Sequence, residues 1–183
     1  MDKERIFYLV TFIQGDIEAA LEAAVRTAIE KRVRHVAGLE PIAREASLQV
    51  NQTLLGAKRE FGIGGPQPQT PLDEETRWAF AKEIEALDAI HSLPNILEML
   101  EERLGFPFVL GVRQRLEVRL KKERSGSLEA IHSALSQELQ VAYEQARSSV
   151  TDPDLLRLVE GDLDQLRAVY LDPEFLKIRM QER

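Results

Sequence analysis

An all-α fold, a multi-helix bundle of seven or eight amphipathic helices with short connections, is predicted by three observations. Apolar side chains recur every three or four positions over most of the 183 residues, the spacing that lines one face of a helix. Ala, Leu, Glu, Arg and Gln dominate the composition, and these residues lose little rotamer freedom in a helix. Aromatic residues make up only 6% of the chain, fewer than long sheets usually carry.

Taken in order, Ile6, Leu9, Val10, Ile13 and Ile17 keep helical spacing from the start. Gly15-Asp16 is expected to interrupt them, with Asp16 capping a second helix through Leu21, Ala24, Val25, Ala28 and Val33. Gly38 reads as the stop of that helix, and Pro41 as the first-turn residue of the next. The segment 62–71, rich in Gly and Pro, suits neither a helix nor a sheet interior. It is expected to be a linker or loop between N-terminal helices, 1–61, and a C-terminal bundle, 72–183. One continuous domain, 1–183, is the other reading.

Asp73 to Ser92 then reads as a helix with Phe80, Ile84, Leu87 and His91 on one stripe, and Pro94 bends or restarts it. Gly105 ends the following segment. Residues 106–124 fit helical spacing through Val109, Val112, Leu116 and Leu120, although 116–120 also alternates as a strand would. Ser127, Asp152-Pro153 and Asp172-Pro173 each start a further helix. Gly161 is a position where the second of these could break.

The absence of cysteine excludes disulfides, thiolate metal sites and cysteine nucleophiles. No apolar run is long enough to span a bilayer, and Asp2 and Glu4 precede the first one, so a cytoplasmic protein is expected, with no membrane partner. A net charge of −7 disfavours a general nucleic-acid binder. Charge is nevertheless uneven. Nine acids face Arg77 and Lys82 between Asp73 and Glu102, whereas Arg113, Arg115, Arg119, Lys121, Lys122 and Arg124 face only Glu117 and Glu123. Those six bases are the candidates for phosphate contacts, but no aromatic residues interleave with them to stack bases.

The sharpest chemical signal is an internal echo. Leu87-Asp88-Ala89-Ile90-His91-Ser92 is matched by Leu128-Glu129-Ala130-Ile131-His132-Ser133. A carboxylate and an imidazole three apart share a helix face and can bind one metal ion. Asp88, His91, Glu129 and His132 are therefore the candidate metal ligands, for iron, manganese or zinc. In those few residues the pattern resembles the ferritin-like di-iron bundles, which add single glutamates from two further helices. Glu18, Glu22 and Glu160 are the candidates for that role. Counting helical rise brings both histidines to a similar height on two parallel helices. Structural histidines, each satisfied by its neighbours, are the simpler reading, with no cofactor. His35, in Lys31-Arg32-Val33-Arg34-His35, reads as a cation at a helix C-terminus.

No Ser-His-acid arrangement is legible, and Gly62-Ile63-Gly64-Gly65 lacks the ending of a phosphate loop. The function expected is therefore non-enzymatic: a helical protein–protein interaction or regulatory module, acting on a protein partner or on itself as a homo-oligomer. Metal binding and nucleic-acid binding are the alternatives.

Overall fold

The computed structural model describes residues 2–63 and 72–181. Among them are eight α-helices and no strand: α1 (Lys3–Glu30), α2 (Val36–Glu60), α3 (Glu74–Ile90), α4 (Leu93–Arg103), α5 (Phe106–Glu123), α6 (Leu128–Ser149), α7 (Pro153–Tyr170) and α8 (Pro173–Gln181). The stretch 106–120 is thus helical throughout. No helix among the described residues is long and apolar enough to cross a membrane. The chain forms two compact units, 1–101 and 102–183. The segment 62–71 connects α2 and α3, which both belong to the first unit and pack together there. Of that segment, 64–71 lies outside the described residues.

In the first unit α1, α2 and α3 pack against one another. Ile13, Ile17, Leu21, Ala24 and Ala28 form the buried stripe of α1. That stripe crosses Gly15-Asp16 without a break, so α1 is one helix of 28 residues rather than the two expected. A glycine inside a helix costs about 1 kcal/mol, less than the continuous burial around it returns. The end of α1 also differs. Arg32, at φ 52°, takes the left-handed position, while the Val33 N–H donates to the Ala28 carbonyl and the Arg32 N–H to the Ile29 carbonyl. This is a Schellman stop, usually built on glycine.

Because α1 stops early, α2 starts early. His35 is its N-cap, Nδ1 accepting from the Gly38 N–H at 2.8 Å. His35 therefore caps a helix start through an accepting ring nitrogen, rather than standing at a helix end. Gly38 lies inside α2, where a Cβ would come within 2.6 Å of the His35 ring. Pro41 likewise lies inside the helix rather than opening it. At its far end, Gly62 at φ 66° provides the stop, the Ile63 N–H donating to the Lys58 carbonyl at 2.8 Å.

One buried hydroxyl ties α1 to α3. Asp73, the N-cap of α3, accepts from the Thr76 N–H at 2.9 Å and from the Thr76 hydroxyl at 2.6 Å. The same hydroxyl oxygen accepts from the Asp2 N–H at 3.0 Å. These Thr76 bonds hold the Asp73 carboxyl below its ordinary range. The starts of α1 and α3 are therefore side by side, and α2 runs antiparallel between their ends.

In the second unit α5, α6 and α7 enclose an apolar core including Val112, Leu116, Ile131, Leu135, Leu139, Val159 and Leu163. The expected caps are in place. Ser127 accepts from the Ala130 N–H at 3.2 Å, and Asp152 from the N–H groups of Asp154 and Leu155 at 2.9 Å. Asp172 accepts from the Phe175 N–H at 2.8 Å and caps α8. Gly105, at φ 75°, turns the chain into α5.

Gly161 does not break α7, which runs through it. A methyl group there would meet nothing within 4 Å. Gly161→Ala is expected to stabilise the protein by about 0.5–1 kcal/mol, the helical cost of glycine relative to alanine. A urea titration should show a raised midpoint, and an unchanged or lowered one would contradict this.

Candidate functional site

The four candidate metal ligands belong to different units. Asp88 and His91 fall in the first, Glu129 and His132 in the second. His91 is the C-cap of α3, not a residue within it. Its Nδ1 lies 2.8 Å from the Leu87 carbonyl, and since a carbonyl can only accept, that nitrogen carries hydrogen. Asp88 pairs with Lys58 of α2 at 3.7 Å. Glu129 and His132 are exposed in the first two turns of α6. Of the supporting glutamates, Glu160 bonds Arg147 at 2.7 Å, while Glu18 and Glu22 are exposed on α1. Among the described residues no group of three or more His, Asp or Glu side chains is arranged to hold a metal ion.

The six bases of α5 do not form one strip. At roughly 100° per residue, Arg113, Lys121 and Arg124 fall on one side of the buried Val112-Leu116-Leu120 stripe, and Arg115, Arg119 and Lys122 on the other. Several are engaged within the second unit. Arg115 donates to Glu138 of α6 at 2.6 Å, and Arg119 pairs with Glu123 at 3.7 Å. A phosphate backbone laid along α5 would meet one half of the set only.

A polar trough of about 320 Å³ runs between α6 and α7. Its walls carry Gln140, Tyr143 and Arg147 from α6, and Asp164 and Arg167 from α7. The Tyr143 hydroxyl donates to Asp164 Oδ1. Burial, reinforced by that carboxylate, pushes the Tyr143 phenol up to about 12. Beside it, a shallower depression shares Ser136, Asp164 and Arg167 and adds His132 and Asp172. Ser136 and His132 are thus one turn apart on one wall, but no hydrogen bond joins them among the described residues. Arg147 on its rim bonds Glu160, and Asp164 accepts from the neutral Tyr143 hydroxyl.

A group of exposed aromatic side chains lies elsewhere, on the first half of α1. Phe7, Tyr8 and Phe12 are 74%, 70% and 63% exposed. Tyr8, Phe12, Gly15 and Ala19 follow one another at steps of four, three and four residues, all exposed. Tyr8 is nine residues from buried Ile17, about half a rotation away at roughly 100° per residue. The helix therefore carries a second, weakly polar stripe opposite its core stripe. Beyond it, Ala23, Thr27, Pro41 and Ile42 line a shallow apolar depression between α1 and α2. The aromatic content of residues 7–12 was visible in the sequence. Its direction was not, because an apparent break at Gly15 hid the length of the core stripe.

No protein-family model, curated protein or solved structure matches the chain.

Proposed function

We propose that the protein is a non-enzymatic helical interaction module that associates with a second copy of itself through the outer face of α1. The observation that carries this reading is the opposed stripe, with Tyr8 and Phe12 in solvent while Ile13, Ile17 and Leu21 fill the core on the other side of α1. Exposed aromatic side chains supply large contact area at low cost in conformational entropy. Gly15, Ala19 and Ala23, also exposed, leave room for another helix to approach closely. The face is self-complementary. When two copies of α1 pair antiparallel about a two-fold axis, the aromatic end of each meets the small-residue end of the other, the isologous arrangement of most homodimers.

Sedimentation equilibrium provides the test. The wild-type chain is expected to be a dimer at micromolar concentration, and Tyr8→Glu with Phe12→Glu a monomer of unchanged helicity. Trp78→Ser, at another exposed aromatic residue, should leave the dimer intact. A monomeric wild type, or a dimer indifferent to the double substitution, would overturn the proposal.

A further inference from the structure

We infer that α8 is a displaceable occupant of a docking groove in the second unit, and that this groove takes an amphipathic helix of a partner protein repeating the chemistry of α8. Three features of α8 support this. It packs more thinly than its neighbours: of its nine residues only Leu176 is fully buried, with Phe175 and Met180 partly so. It is self-contained, its first turn capped by Asp172 rather than by α7. Short elements with few buried apolar contacts open at lower free energy than the core they cover.

The third feature is a polar clasp that specifies what fits. Glu117 of α5 accepts from the Tyr170 hydroxyl at 2.5 Å through one carboxylate oxygen and from Arg179 of α8 at 2.6 Å through the other. Tyr170, 3% exposed, also meets the Phe175 ring edge-on, 5.5 Å between centroids. The groove thus presents a carboxylate already oriented by Tyr170, an aromatic edge and an apolar seat for Leu176. A ligand helix satisfies all three with an aromatic residue, a leucine next to it, and an arginine three residues beyond the leucine. Phe175, Leu176 and Arg179 have that spacing. While α8 is seated, the groove is closed to any other helix.

The experiment uses the full-length chain and a fluorescent peptide of residues 172–181 as the probe. Leu176→Ala removes the apolar anchor of the tethered helix and leaves the groove intact. The peptide is expected to bind this variant at least tenfold more tightly than it binds wild type. Arg179→Ala, at a half-buried position that does not endanger folding, is expected to give the same ranking. Adding Glu117→Ala to either variant should abolish binding. Equal affinity for wild type and both variants, or no binding to any, would overturn the inference. Light scattering on the Tyr8→Glu, Phe12→Glu background separates this site from the α1 face. A dimer formed there through exchanged α8 helices would overturn the assignment to a separate partner, and a monomer supports it. The inference does not depend on the α1 proposal, since the groove variants and the peptide-binding readout lie in the other unit.

Discussion

Phe80→Ala is expected to lower the stability of the first unit by about 3–5 kcal/mol, the usual loss for truncating a fully buried aromatic ring. Phe80 is completely buried on α3, and its ring meets that of Phe61, just beyond α2, at 5.0 Å between centroids and 78° between planes. Truncation removes apolar area from the core and leaves Phe61 without its edge-to-face partner. The cavity would lie where α2 and α3 meet, so neither helix can collapse into it without leaving α1. Thermal unfolding followed by amide exchange gives the measurement. Protection should fall across α1, α2 and α3, and a loss below about 1 kcal/mol would mean that the site relaxes far more than close-packed interiors usually do.

Glu117→Gln is expected to destabilise the second unit by about 1–3 kcal/mol at neutral pH, the range for leaving a buried polar partner poorly satisfied. The Tyr170 hydroxyl and the Arg179 guanidinium hold the Glu117 carboxyl below its ordinary range, against the upward push of burial. Burial, reinforced by the same contact, raises the Tyr170 phenol. A carboxyl whose folded pKa is depressed contributes stability that is complete above its unfolded pKa, about 4.3 for glutamate. That contribution is lost as pH falls through the lower folded value. The gap between wild type and Glu117→Gln should therefore be full at pH 7 and close as the solution is acidified below that value. Urea unfolding at a series of pH values reads this directly, and a gap that stays constant down to strong acid would disprove the role assigned to Glu117.

Local signals in the sequence located most helix starts, because a cap is a local event. Asp73, Ser127, Asp152 and Asp172 all bond the N–H groups two or three residues ahead. Helix stops were harder. Gly38 has the composition of a stop, but α1 ends on the left-handed Arg32, a position that residue preference alone would not select. The error carried forward to His35, expected at the end of one helix and found at the start of the next. The candidate surfaces were less legible still. Glu117, Tyr170 and Arg179 are separated by 53 and 62 positions, so only tertiary packing brings them together. The outer stripe of α1 needed knowledge of which apolar flank faces inward, and either flank satisfies a helical period.

The echoed hexapeptides carry a wider consequence. Residues 87–92 finish a helix and residues 128–133 begin one, although five of their six letters coincide and the sixth pair, Asp88 and Glu129, differs by one methylene. In the first copy the imidazole turns back onto its own backbone; in the second it stands in solvent at the rim of a trough. Short likeness within a chain is thus a poor guide to shared chemistry, because a residue's task is assigned by its distance from the nearest helix terminus.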